Sequence, residues 1–104
     1  MYARNVTFRI KANMQSDYTH AFENQILPLL QKQKGFKEEI TLCNHGSPEV
    51  VSISLWEHKS NADDYNSRTY PEVLKALSHV IDGSPRVQTF ETVVSTFHNV
   101  HATV

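Results

Sequence analysis

The stretch Val50–Ser60, which reads VVSISLWEHKS, decides the fold of this 104-residue chain. Aliphatic side chains occupy every second position from Val51 to Leu55, and this two-residue repeat is typical of a β-strand. One face of this strand carries Val51, Ile53 and Leu55, and the other carries Ser52, Ser54 and Trp56. The second face therefore combines two small hydroxyls with the only tryptophan of the chain. It is either a surface or the lining of a cavity, and small side chains beneath helices favour the cavity.

The segments around this strand predict the element order βα-β-βα-β. The predicted elements are strand one at Tyr2–Lys11, helix one at about Asp17–Lys34, strand two at roughly Phe36–Asn44, strand three at Glu49–Trp56, a short helix at Asn61–Asn66, a helix opened by Thr69 that runs to Ile81, and strand four at about Arg86–His98. This order predicts a ferredoxin-like α+β sandwich, in which an antiparallel sheet carries both main helices on one face.

Polar residues at the predicted helix ends supply capping signals. They are Ser16 or Asp17 for helix one, Ser60 with Asp63 for the short helix, and Thr69 with Glu72 for the last helix. Gly35 and the pair Asp82-Gly83 are placed to end helices. Pro28 lies inside helix one and removes one backbone hydrogen bond, so we expect a kink there.

Two of the predicted strands are apolar on both faces. Strand three has Val50 and Trp56 opposite its three aliphatic residues, and strand four has Phe90 and Val94 on one face with Val93 and Phe97 on the other. The helices cover only one face of the sheet. The second face must then be buried against another chain, and a homodimer packed sheet to sheet is the commonest closed arrangement.

The bulk composition limits the function classes. A chain of this length predicts one domain, residues 1–104. Its net charge is −1 and its basic residues are scattered, which speaks against nucleic-acid binding. The N-terminal segment has no long apolar run, so we expect neither a signal peptide nor a membrane span. A single cysteine, Cys43, without an activating neighbour suits packing and a reducing, cytoplasmic compartment.

Three motifs resemble those of the antibiotic biosynthesis monooxygenases, a superfamily of dimeric α+β barrels. They are Pro28-Leu29-Leu30 late in helix one, Gly35-Phe36 opening strand two, and Val50-Val51-x-x-x-Leu55-Trp56-Glu57 running into a capped helix. The resemblance covers roughly Val6 to Phe97. It implies the fold and the homodimer more specifically than the chemistry, since the family includes cofactor-free quinone-forming monooxygenases, heme-degrading enzymes and members with no assigned activity.

The family's functional residues transfer only in part. Trp56 matches the tryptophan that lines the cavity of quinone-forming members, but Ser52 stands where they have an asparagine, and Tyr65 lies three residues later than their tyrosine. Heme-degrading members use a strand-one asparagine where this chain has Val6. Their helix histidine is missing, because His79 lies on the polar side of its helix. The resemblance therefore disfavours heme.

The resulting hypothesis is a cofactor-independent monooxygenase that acts on a small aromatic or polyketide-like substrate. Trp56, Tyr65 and Ser52 are the candidate catalytic residues. The candidate substrate-binding residues are Phe22, Ile26, Ser54, Tyr70, Leu74 and Leu77. We expect no cofactor and no metal, since His98 and His101 lie in a C-terminal tail without a nearby further ligand. No general base is evident in the sequence, so a non-catalytic homodimer that binds a small apolar ligand is the alternative.

Overall fold

The computed structural model describes residues 1–96 and 100–101. The elements are β1 (Tyr2–Ile10), α1 (Gln15–Ala21), a π-helical segment (Phe22–Ile26), α2 (Leu27–Gln31), β2 (Phe36–Cys43), β3 (Glu49–Trp56), α3 (Lys59–Arg68), α4 (Tyr70–Leu77), β4 (Ile81–Glu91), β5 (Val94–Ser95) and β6 (Val100–His101). The first four strands form one sheet in the order β2-β3-β1-β4, and each neighbouring pair is antiparallel. The predicted ferredoxin-like α+β fold is confirmed.

The helices cover one face of the sheet. On β1 this face carries Val6, Phe8 and Ile10, all buried. On β3 it carries Val50 and Trp56, which are buried too. Strand pairing aligns residues whose side chains share a face. The alternation read from the Val50–Ser60 stretch therefore assigned both faces of β3 correctly, and the strand has the predicted bounds.

The first helical region contains a π-helical segment directly before the turn that holds Pro28. The amide N–H of Leu27 donates to the carbonyl of Phe22, five residues earlier, and Pro28 follows in the first turn of α2. A proline cannot donate to the turn before it, so the wider turn accommodates the missing bond. Phe22 and Ile26, four residues apart in this segment, both line the cavity between the helices and the sheet.

The predicted caps of the first two helical regions were wrong. The helix of residues 15–21 begins after Met14 with no side-chain cap, so neither Ser16 nor Asp17 caps it. At α3, Asn61 Oδ1 accepts a hydrogen bond from the His58 amide at 3.1 Å, which places the box two residues before the predicted Ser60 and Asp63. The helix begins earlier because the chain leaves β3 directly into His58 in an extended conformation.

The cap predicted from Thr69 and Glu72 is also wrong. Thr69 precedes α4, but its side chain makes no cap hydrogen bond. Its hydroxyl instead lies 3.3 Å from Gln33 Oε1 and donates to it. This contact ties the start of α4 to the end of the first helical region, so the hydroxyl serves a tertiary contact rather than the helix terminus.

The boundary between the last helix and the last strand of the main sheet differs from prediction. The helix ends at Leu77, and Ile81 is the first residue of β4, paired with Ile10. Gly83 has a φ of +80° and lies where the register between β1 and β4 shifts, so it serves a β-bulge rather than a helix end. The strand stops at Glu91, well short of the predicted His98, and Phe97 and His98 lie outside the described residues.

The face of the sheet opposite the helices is apolar and exposed in the described part of the chain. Ile40 is 48% exposed, Leu42 47% and Phe90 51%. The aliphatic residues of β3 on this face are partly exposed as well.

No helix in the described part of the chain is long and apolar enough to cross a membrane.

Candidate functional site

A cavity lies between the helices and the covered face of the sheet. Its volume is about 40 Å³. Its walls are mainly aliphatic and aromatic. The lining residues are Arg4, Val6, Phe8, Tyr18, Phe22, Ile26, Leu30, Glu39, Ser52, Ser54, Tyr65, Tyr70, Val73, Leu74, Leu77, Ile81 and Pro85.

The roof of the cavity is built by helical spacing. On α4, Tyr70, Val73, Leu74 and Leu77 recur three and four residues apart, so they project from one side of the helix. The π-helical segment supplies Phe22 and Ile26 beside them. An apolar roof of this kind, with a few polar groups on the floor, is the usual construction of a small-molecule site.

The floor of the cavity carries opposite charges on either side of a serine. Ser54 of β3 pairs with Arg4 of β1 on one side and with Glu39 of β2 on the other. Two strand spacings separate the Cα atoms of Arg4 and Glu39, about 10 Å. Among the described residues neither side chain forms an ion pair. The sheet therefore holds a cation and a carboxylate apart in one apolar cavity.

Arg4 is almost entirely buried, with 3% of its surface exposed. Its Nη2 donates to Asn66 Oδ1 at 2.8 Å, and its guanidinium carbon lies 4.0 Å from the centre of the Tyr70 ring and 5.1 Å from that of Tyr65. Its Nε has no hydrogen-bond partner in the described structure. Burial lowers the pKa of Arg4, yet an arginine stays charged at neutral pH. The cavity thus holds a cation whose contacts are neutral side chains.

Glu39 is the one carboxylate in the lining of this cavity. Its Oε1 accepts hydrogen bonds from Ser52 Oγ at 2.7 Å and from Thr41 Oγ1 at 2.8 Å, while Oε2 accepts neither. Burial raises the pKa of Glu39, and the two hydroxyl hydrogen bonds oppose that rise without cancelling it. An oriented carboxylate with a raised pKa and a free oxygen is suited to accept a proton from a ligand.

The raised pKa of Glu39 makes a prediction about stability. The pKa of Glu39 in the folded protein lies above its ordinary value of 4.5, so the folded protein binds this proton more tightly than the unfolded chain does. The contribution of Glu39 to stability is therefore full below pH ~4.5 and is lost as the pH rises through the folded pKa. We expect Glu39→Gln to gain free energy of unfolding relative to the wild type between pH 4 and pH 7.5. Urea unfolding of both proteins at each pH measures this, and an equal difference at the two pH values would contradict it.

Trp56 occupies a different place from the one predicted. It is fully buried, and it is absent from the cavity lining, so the expectation that it forms a cavity wall is wrong. Its ring lies between Phe36, at 5.6 Å between centroids, and Tyr65, at 5.1 Å. Its Nε1 donates to Ser54 Oγ at 2.9 Å, and Ser54 Oγ lies 3.5 Å from the carbonyl oxygen of Arg4. Trp56 therefore supports the floor and one wall of the cavity from behind.

The two tyrosines of the predicted site stand beside Arg4. Tyr65 of α3 is buried, and Tyr70 of α4 is partly exposed with its ring centre 6.1 Å from that of Tyr65. Burial raises the pKa of Tyr65 to about 12, although the positive charge of Arg4 opposes it. Burial likewise raises the pKa of Tyr70. Both phenols are therefore protonated at neutral pH and can donate a hydrogen bond to a ligand.

The structure gathers most of the predicted site residues around the cavity. Those that line it are Ser52, Ser54, Tyr65, Phe22, Ile26, Tyr70, Leu74 and Leu77. The prediction missed Arg4, Glu39 and Tyr18. Arg4 has the same strand parity as Val6 and Phe8, so the sequence contained the signal for its inward face. Glu39 alternates with Ile40 and Leu42, which made it resemble a solvent-facing residue.

A wider groove adjoins the cavity and shares Tyr18, Phe22 and Glu39 with it. It runs along the edge of β2, where Cys43 lies with its thiol exposed. The prediction that Cys43 is a packing residue was therefore wrong, because its side chain is exposed. The expectation that His98 and His101 bind no metal lies outside what the structure describes. His98 is outside the described residues, and the side chain of His101 is not described.

The sequence matches no protein-family model and no curated protein at a significant level. Solved structures do match. The fold is that of the antibiotic biosynthesis monooxygenases. One similar structure is a protein of Bordetella bronchiseptica assigned to that group (TM-score 0.74, 17% identity, covering 88% of this chain and 96% of the other).

Two further structures are of named oxygenases. SnoaB, a cofactor-independent oxygenase from Streptomyces nogalater, matches with a TM-score of 0.74 and 13% identity, covering 88% of this chain and 91% of the other. The ActVA-Orf6 monooxygenase of Streptomyces coelicolor, solved with the ligand nanaomycin D, matches with a TM-score of 0.73 and 17% identity, covering 88% and 86%. At these identities the likeness establishes the fold.

Proposed function

We propose that this protein is a cofactor-independent monooxygenase that oxidises a small hydroxylated aromatic or polyketide-like compound to a quinone. The observation that carries the proposal is Glu39, a carboxylate with a raised pKa on the floor of an apolar cavity. It is the general base that the sequence did not reveal. The named activity of SnoaB, on the same fold, supports the reaction class.

Proton removal starts the proposed reaction. A phenolic hydroxyl enters between the charged groups of the floor and gives its proton to Glu39 Oε2, the oxygen that Ser52 and Thr41 leave free. The hydrogen bonds on Oε1 fix the orientation of the carboxylate. The phenolate that results spreads its negative charge to the ring carbon opposite the oxygen. That carbon is then electron-rich enough to react with dioxygen.

Oxygen transfer follows at this carbon. Dioxygen accepts an electron pair from the ring, a carbon–oxygen bond forms, and the distal oxygen takes the proton held by Glu39 to give a hydroperoxide. Loss of the hydrogen on the same carbon, as a proton, drives cleavage of the oxygen–oxygen bond. One oxygen atom remains as the new carbonyl and the other leaves as water. The phenol and dioxygen together give the quinone and water. The substrate supplies all four electrons, so the reaction needs no further reductant.

The other predicted residues take supporting roles in the proposal. Tyr65 orients the phenolate by hydrogen bonding, and Ser52 orients Glu39 by donating to its Oε1. Trp56 holds Tyr65 and Ser54 in place from behind. The apolar side chains of the roof contact the ring and exclude water. Exclusion of water matters because it strengthens electrostatic interactions and protects a reactive intermediate.

The uncovered face of the sheet is the proposed interface of a homodimer. Ile40, Leu42 and Phe90 are about half exposed there, and a contiguous apolar face of a sheet is normally buried. The face is isologous in a two-fold dimer, since the same strands of each copy meet.

Ile53→Asp tests this interface. Ile53 lies on the central strand β3, between Asn5 and Ile40, so a carboxylate there would be desolvated in a dimer. We expect the wild type to sediment as a dimer at low micromolar concentration and the variant as a monomer. Thr89→Asp, an exposed position on the other face of β4, is the control and should remain dimeric. A folded wild-type monomer at these concentrations would overturn the interface.

Oxygen uptake tests the function itself. The purified protein is presented with a panel of phenols, naphthols and hydroquinones while an electrode follows dissolved oxygen and absorbance follows quinone. We expect uptake with at least one hydroxylated aromatic, without added metal, flavin or heme, and one quinone per oxygen consumed. Saturable ligand binding with no uptake across the panel would instead favour the non-catalytic binding protein.

A further inference from the structure

A buried donor of the described structure, Nε of Arg4, lacks a hydrogen-bond partner, and Arg4 lines the cavity. The hydroxyl of Tyr18, also in the lining, lies near the side chain of Thr41. Buried polar groups in folded proteins are nearly always hydrogen-bonded, and exceptions are commonly completed by a water, an ion or a ligand. Because Arg4 lines the cavity, an occupant of the cavity is the natural source of the partner that its Nε–H lacks.

The charge of Arg4 specifies one end of this occupant. Arg4 is 3% exposed, and the contacts of its guanidinium in the described structure are the neutral groups of Asn66, Tyr65 and Tyr70. A buried cation without an anion is costly, and the fork of N–H groups in arginine fits a carboxylate in particular. The nearest acidic lining residue, Glu39, lies across Ser54 and makes no ion pair with it.

The far end of the cavity is of opposite character. Tyr18 packs between Phe8 and Phe22, with ring centroids 5.3 Å and 5.8 Å away. Its position over Phe8 places it four residues from Arg4 along β1, about 13 Å. The hydroxyl of Tyr18 and the carboxylate of Glu39 both border this part of the cavity. These groups suit a neutral oxygen substituent that donates or accepts a hydrogen bond, and they disfavour an anion.

We propose that the substrate is a hydroxylated aromatic carboxylate, whose carboxylate binds Arg4 and whose ring hydroxyl points toward Glu39 and Tyr18. The carboxylate end stands on Arg4 alone, and the orientation of the hydroxyl rests on the proposed oxygenase function. Cation-π contact with Tyr70 fixes the plane of the guanidinium, so its Nε–H edge is directed before the ligand arrives. The partly exposed lining side chains, Phe22, Tyr70 and Leu74, must move outward to admit a ring, because the open space is small.

A matched pair of ligands tests the carboxylate site. Calorimetric titration compares 4-hydroxybenzoate with its methyl ester, which has the same ring and hydroxyl but no charge. We expect the wild type to bind the acid at least tenfold more tightly than the ester. Arg4→Met should bind the two equally, and Arg9→Met, an exposed arginine on the opposite face of β1, should keep the preference.

A second measurement does not depend on the folding of a variant. In ¹H–¹⁵N spectra of the wild type, the Arg4 Nε–H signal should shift on addition of the acid and stay in place with the ester. Equal affinity for both compounds, no binding of either at millimolar concentration, or an unmoved Nε–H signal would overturn the proposal. Tight binding of the acid without oxygen uptake would retain the carboxylate site and count against the oxygenase function, so the two failures are distinguishable.

Discussion

Glu39→Gln is expected to lower the rate of substrate-dependent oxygen consumption by a factor of roughly 100 or more. Glutamine keeps the shape of the side chain, and its amide oxygen still accepts from Ser52 and Thr41. It cannot accept a proton from a phenol. The loss should therefore fall on kcat, with KM changed little, because the apolar contacts to the ring remain.

Two controls separate chemistry from folding in this experiment. Glu72→Gln changes an exposed carboxylate in the first turn of α4 and should leave the rate unchanged. The wild-type rate should also rise with pH through a transition above 4.5, since only ionised Glu39 acts as a base and burial raises its pKa. The variant should lose that transition. A Glu39→Gln protein with full activity would remove Glu39 from the mechanism and leave the oxygenase proposal without a base.

The fold was predictable because the decisive patterns are local. In β3 the alternation of Ile53 with Ser52 and Ser54 gave the strand bounds, its two faces and the presence of a covering layer. Helix termini were less predictable. At the start of α3 the sequence predicted a cap from Ser60 and Asp63, whereas His58 and Asn61 form it. Short polar residues around a terminus offer several alternatives of similar energy, and the path of the chain from the preceding strand selects one.

The candidate site was predictable only where its residues share a pattern with the core. The cavity residues of α4 recur at helical spacing, and so they were found. Glu39 was missed because β2 is an edge strand whose aliphatic residues, Ile40 and Leu42, point away from the helices. In this strand the aliphatic residues lie on the exposed face and the polar residues on the face that the helices cover, which is the reverse of the usual pattern. The alternation along β1 puts Arg4 on the same face as Val6 and Phe8. Arg4 was still missed, because a charged residue near a chain terminus is usually exposed to solvent, and only the structure shows its burial.

Trp56→Ala is expected to reduce the free energy of unfolding by about 3–5 kcal/mol. The indole is fully buried against Phe36 and Tyr65, away from the cavity, so its removal leaves a void in packed core. The change also removes the donor to Ser54 Oγ. Small domains have only about 5–15 kcal/mol in total, so the variant should unfold at much lower urea concentration or temperature. The measurement is urea unfolding at one fixed protein concentration, because association also contributes to stability.

Trp56→Phe distinguishes the two parts of this effect. Phenylalanine keeps an aromatic ring between Phe36 and Tyr65 and loses the Nε1–H bond, so it should cost less than alanine. Because Trp56 does not line the cavity, the affinity of the folded protein for 4-hydroxybenzoate should change less in either variant than in Arg4→Met. Surface substitutions usually change stability by no more than about 0.5 kcal/mol. If Trp56→Ala stays within that range while its ligand binding falls more than tenfold, the tryptophan contacts the ligand. The floor of the cavity would then have to open as far as the indole when a substrate binds.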